Sequence, residues 1–113
     1  MADNNAVLSL LGLCKKANKL SCGHDAAIGA IRSGQAKLCV LSGDSSKRLR
    51  DEAKREITMS KSQIPVFVMN ITMDEIGRCV SLRSAILTVN DSGFAQSIGK
   101  QVDTIRRREE NEC

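Results

Sequence analysis

Tryptophan and tyrosine are absent from this chain, and two phenylalanines are its whole aromatic content. The core must therefore be built from aliphatic side chains. The aromatic platforms on which single-strand binders stack bases are missing as well, which disfavours that mode of recognition. No apolar run approaches the roughly 20 residues needed to cross a bilayer. The opening segment "MADNNAVLSLLGLCKK" lacks the basic start and small-residue cleavage site of a secretory leader. A soluble, cytoplasmic protein without a membrane role is expected.

Metal-ligand spacing is also missing. The five cysteines, Cys14, Cys22, Cys39, Cys79 and Cys113, form no C-x-x-C pair, and the one histidine, His24, cannot complete a zinc site with them. An odd count with Cys39 inside an apolar stretch reads as reduced thiols. There is no G-x-G-x-x-G, no Walker lysine loop, no H-x-x-x-H and no G-x-S-x-G. Nothing supports catalysis, and no cofactor or metal is expected.

What is present fits one domain spanning residues 1–113. The chain is 42% hydrophobic, enough to bury about two-thirds of its unfolded surface without staples. Seventeen Lys and Arg against thirteen Asp and Glu give a net charge of +4, compatible with nucleic acid without demanding it.

Apolar periodicity predicts a first helix over residues 5–17, stopped by Asn18, and a brief extended piece, "KLSCG". A second helix is expected over residues 24–33, closed by Gly34, followed by the buried strand "KLCVLS". Asp44, Ser45 and Ser46 offer caps for a third helix in which Leu49, Ala53 and Ile57 recur every four residues. Pro65 leads into the strand "VFVM", and "TMDE" is a capping box opening a short helix to about Val80. The strand "AILTV" and a last helix through Ile98, Val102 and Ile105 complete the chain, with a tail expected to fray from about Arg106. Alternating helices and doubly apolar strands predict an α-β-α sandwich.

In such sheets ligands gather beyond the carboxyl ends of the strands. The loops expected there are Ser21–Gly23, Ser42–Ser46, Asn70–Thr72 and Asn90–Gly93, with Asp44, Thr72 and Asp91 read as helix caps. The second helix is more informative. Asp25, Gly29, Arg32 and Ser33 share one face, while Ala27, Ile28 and Ile31 form the apolar stripe. Gly29 inside a helix costs about 1 kcal/mol relative to Ala. Either another element packs closely there, or a ligand backbone approaches. His24 and Asp25 are adjacent on a helix and should not face each other as a catalytic pair would.

The passage "LLGLCKKANKLSCGHDAAIGAIRSGQAKLCVLSGD", followed by "IPVFV", "DEIGR" and "DSGFAQSI", resembles the ribosomal protein L-seven-Ae / L-thirty-e family, and within it the small bacterial YlxQ-like branch. The resemblance spans residues 8–98. It implies a three-layer α-β-α fold with a mixed sheet, and binding of structured RNA, typically a kink-turn, in a ribosome- or translation-associated role. In that family the second helix opens with a Gly-x-Asn-Glu-x-x-Lys pattern that reads sheared G·A pairs. The glycine falls on Gly23. The asparagine falls on Asp25, the glutamate on Ala26 and the lysine on Gly29, so the base-reading groups are largely replaced. The loop before the last strand, Ser81 to Ser84, is the counterpart of one that packs on flipped-out RNA.

The implied RNA-binding residues are Lys19, Gly23, His24, Asp25, Lys47, Arg48, Leu82, Arg83 and Ser84. Free N–H groups at the second helix start can receive a phosphate or base oxygen, with Asp25 opposing a phosphate. Lys19, Lys47, Arg48 and Arg83 are expected to track about four phosphates, giving a salt slope of roughly −3 to −4. The expected partner is structured RNA, ribosomal RNA included, bound by a monomer. A protein-interaction module on the same fold is the alternative.

Overall fold

A computed structural model describes residues 4–61 and 63–111. Helix α1 spans Asn4–Lys16, β1 Leu20–Cys22, α2 His24–Arg32 and β2 Leu38–Leu41. Then follow α3 Lys47–Met59, β3 Val66–Val68, α4 Met73–Val80, β4 Ile86–Val89 and α5 Ser92–Asn111. Every expected element is present and in the expected order.

Local chemistry sets the boundaries. Asn18, at φ 61°, ends α1 in the left-handed region its short amide side chain tolerates. Of the three candidates ahead of α3, Ser46 is the cap: its Oγ accepts from the Leu49 N–H at 3.1 Å. Asp44 caps a different helix, accepting from the Met73 N–H at 3.1 Å at the start of α4. Thr72 and Glu75 close the expected capping box. Asp91 accepts from the Phe94 N–H at 2.9 Å and so caps α5. Helix α5 continues to Asn111, past the point where fraying was expected. Arg106 over the Phe67 ring, 4.8 Å from its centre, helps to hold it down.

The four strands form one mixed sheet in the order β1-β4-β2-β3. Strand β4 runs antiparallel to both β1 and β2, whereas β2 and β3 are parallel. The central strands β2 and β4 are buried on both faces, while the edge strands β1 and β3 are only partly so. Alternate strand residues feed two cores. Leu38, Val40, Leu87 and Val89 pack with α1, α4 and α5 on one face. Cys39, Leu41 and Ile86 pack with α2 and α3 on the other. The architecture is the expected three-layer α-β-α sandwich. Among the described residues, no helix is long and apolar enough to cross a membrane.

Candidate nucleic-acid interface

The reversal of β4 decides which loops meet. Since β1, β2 and β3 point one way and β4 the other, the pole at the carboxyl ends of the first three strands also holds the segment entering β4. The Gly23 N–H donates to the Ile86 carbonyl at 3.0 Å, and the Ser42 N–H to the Ala85 carbonyl at 2.9 Å. This pole therefore joins the start of α2, the start of α3 and the α4–β4 loop. The Asn90–Gly93 loop, expected here, lies at the opposite pole because β4 arrives there.

Helix α2 opens without a side-chain cap, on Gly23 at φ 90° and ψ 167°, a conformation that favours glycine. A Cβ at Gly23 or at Gly29 would meet nothing within 4 Å. The close packing that could explain Gly29 is therefore absent, and that edge of α2 is open. Ala26 is exposed beside it.

His24 does face its neighbour, contrary to the helical-spacing argument. Its Nδ1 lies 3.1 Å from Asp25 Oδ1, since both sit in the first turn of α2. Its stronger partner is Glu52 on α3, 2.8 Å from Nε2. The Glu52 hydrogen bond, followed by that of Asp25, raises the His24 pKa above its ordinary value. Eight residues along α2 from His24, Arg32 makes a two-pronged pair with Glu56, Nη2 to Oε1 at 2.7 Å and Nε to Oε2 at 3.0 Å. Two links thus stitch α2 to α3, and both carboxylates stand in "DEAKRE", where no sequence signal announced long-range partners.

The α4–β4 loop is held from below. Ser81 closes α4 in the left-handed region, at φ 63°. A Cβ at Gly77 would sit 3.2 Å from the Arg83 Cα, so the loop lies directly on α4. Ser84 is buried and its hydroxyl donates to the Leu82 carbonyl at 3.0 Å, while the Leu82 side chain remains 48% exposed. Arg83 Nε donates to Asp74 Oδ1 at 2.6 Å, and that bond raises the guanidinium's pKa. Lys47 approaches Asp51 at 3.8 Å, and exposed Arg48 borders a depression with Arg55, Glu52 and Glu56.

The structure thus brings together Gly23, His24, Asp25, Lys47, Arg48, Leu82, Arg83 and Ser84. Lys19 is elsewhere. It precedes β1, so it lies at the opposite pole, bordering a depression with Asn18, Gly34, Gln35, Lys37 and Asn90. Cys22, at the α2 end of β1, is half-buried, and burial pushes its thiol pKa up while the Lys15 charge pulls it down. Cys14 and Cys39 are raised further, to about 11 and about 12, by burial. Among the described residues there is no cluster of His, Cys, Asp or Glu suited to a metal ion.

An α-β-α sandwich with an uncapped second helix and a supported loop ahead of its fourth strand defines a recognisable class. Residues 5–98 match the Ribosomal protein L7Ae/L30e/S12e/Gadd45 family, and the chain belongs to it. It is similar to the RNA-binding protein YlxQ of Enterococcus faecium, 25% identical over 101 residues that cover 89% of this chain and 95% of that one. Among solved structures, a protein of unknown function from Bacillus halodurans is 28% identical with a TM-score of 0.76, over 86% of this chain and 96% of that chain. The Giardia lamblia 15.5kD RNA binding protein shares the fold at 12% identity and a TM-score of 0.66, over 92% of this chain and 88% of that chain.

Proposed function

We propose that this chain is a non-catalytic protein that binds structured RNA at the α2 pole, in a ribosome- or translation-associated role in the cytoplasm. Membership of a ribosomal-protein family supports the reading, as does similarity to a protein described as RNA-binding. One observation carries it at the level of the site: the uncapped start of α2, with its open Gly23–Gly29 edge, stands beside the exposed Leu82–Arg83 loop. Backbone N–H groups at a helix start receive phosphate or base oxygens well, because the donors are free and the helix dipole favours negative charge. The Leu82 side chain offers an apolar surface for an unstacked base.

Kink-turn RNA is the first ligand to test. Fluorescence anisotropy with a labelled kink-turn, beside an unkinked duplex of equal length, should give tighter binding to the kink-turn. Arg83→Ala should reduce that preference. Equal binding to the two RNAs would remove the kink-turn from the proposal, and binding to neither would remove RNA.

A protein-interaction module is the second reading, and one observation favours it. His24, Lys47 and Arg83 are each engaged by carboxylates of this same chain, which lowers their value to phosphates. A partner captured equally well before and after nuclease treatment would support it.

A further inference from the structure

The opposite pole carries the freer positive charge. Strand register places Lys19, Asn90 and Lys37 in one row, because Leu20 and Leu38 both pair with Val89. The Asn90 N–H donates to the Lys19 carbonyl at 2.8 Å, and the Lys37 N–H to the Val89 carbonyl at 2.7 Å. Neighbouring strands lie about 4.8 Å apart, so the two lysines flank Asn90 with their Cα atoms roughly 10 Å from each other. Between them is an open depression of about 490 Å³, bordered also by Asn18, Gly34 and Gln35. Lys15 and Lys16 end α1 one turn away.

Hydrogen bonds fix the backbone of the row, and among the described residues its lysines have no acidic partner. The Lys19 N–H donates to the Cys14 carbonyl at 3.0 Å, and the Cys14 thiol donates to the Lys19 carbonyl at 3.1 Å. Asn90 turns inward: its Nδ2 donates to Ser21 Oγ at 2.8 Å, and its Oδ1 accepts from the buried Thr88 hydroxyl at 3.1 Å. Among the described residues, none of Lys15, Lys16, Lys19 and Lys37 has a carboxylate within 4.0 Å. Asp91 is the nearby acid, and it is committed to the α5 cap. The C-terminal ends of α1 and α2 each add about half a negative charge. Four lysines against these leave roughly two net positive charges around this pole, and two of the four, Lys19 and Lys37, border the depression itself.

We propose that this lysine pole is a second RNA contact, taking the sugar–phosphate backbone of a helical segment while the α2 pole meets the irregular one. The inference rests on the RNA reading above and goes beyond it. It divides the labour: the lysine pole supplies salt-dependent affinity that ignores sequence, and the α2 pole supplies the preference between RNAs.

The test is a salt titration of kink-turn and plain-duplex binding by the wild type, K19Q/K37Q, and K54Q/K100Q. The last pair removes equal charge from exposed sites elsewhere. The proposal expects K19Q/K37Q to weaken both RNAs roughly tenfold at low salt, to reduce the salt slope by about 2, and to leave the ratio between the RNAs unchanged. K54Q/K100Q should change the slope much less. Matching melting temperatures of the three proteins would exclude loss of fold. Equal effects of the two variants, or no effect of K19Q/K37Q on a wild type that binds, would overturn the second contact and leave the RNA reading standing. Failure of the wild type to bind either RNA would overturn the RNA reading itself. A K19Q/K37Q loss found with polyglutamate and not with RNA would replace the nucleic acid by an acidic protein.

Discussion

The two poles of the sheet differ in how their charges are spent. At the α2 pole, three helix starts converge and contribute roughly one and a half positive charges between them. Lys47, Arg48 and Arg83 stand there against Asp25, Asp44, Asp51, Glu52 and Asp74, so the surface comes out close to neutral. At the lysine pole two helix ends oppose the lysines, yet the lysines prevail. A surface of fixed donors and internally paired charges suits recognition of shape. A surface of unpaired ammonium groups suits a polyanion of any sequence.

The largest expected effect comes from giving the α2 pole the side chains it lacks. D25N/A26E/G29K restores the family's pattern on an exposed edge with room for it. Each good polar contact to a base is worth roughly 1–3 kcal/mol by analogy with readout in DNA. Kink-turn affinity should therefore rise at least tenfold relative to an unkinked duplex in an anisotropy titration. No gain would mean that this edge does not face RNA.

Next in size is Gly43→Ala, which tests the frame of the same pole. The new Cβ would lie 2.8 Å from the Met69 carbonyl oxygen, a backbone atom that cannot rotate aside. Overpacking of this kind costs about 1–3 kcal/mol, readable in urea unfolding. Gly29→Ala should do the opposite, stabilising the fold by about 0.4–1 kcal/mol, because α2 is helical there and nothing obstructs the methyl group. These two glycines separate a position the fold requires from one it merely tolerates.

The smallest effect is a pH dependence. The folded state holds the His24 proton more tightly than the unfolded chain does, through Glu52 and then Asp25. The link between α2 and α3 is therefore fully present below the ordinary imidazole pKa near 6.5, and it fades as pH rises through the elevated folded value. An exposed pair contributes about 0.2–1 kcal/mol at most. Unfolding measured from pH 5.5 to 8.5 should show this decline in the wild type and lose it in His24→Gln. An unchanged profile in that variant would place the titrating group elsewhere.

The sequence made the element order and the fold class legible, since apolar periodicity, the "TMDE" box and Asn18 are local signals that act locally. The direction of β4 was not legible. Ile86 to Val89 is buried on both faces, and such a run reads the same whichever way it crosses the sheet. That single reversal moved the Asn90 loop to the far pole and brought the Leu82–Arg83 loop to the near one. Lys19 falls at the far pole for a related reason: only three strand residues separate it from Gly23, yet a strand carries the chain from one pole to the other. No local pattern points to Glu52, because its partner stands 28 residues away. Gly23, in contrast, stands out in the sequence by its place in a family pattern, and its positive φ is a conformation that favours glycine.

The most direct test of the whole account is a two-dimensional amide NMR titration of the labelled protein with kink-turn RNA. Shifts are expected at residues 23–26 and 82–84 from the α2 pole, with a second set at residues 18–19 and 34–37 that vanishes first as salt is raised. Shifts confined to other surfaces, or none at RNA concentrations that saturate a typical member of the family, would contradict it.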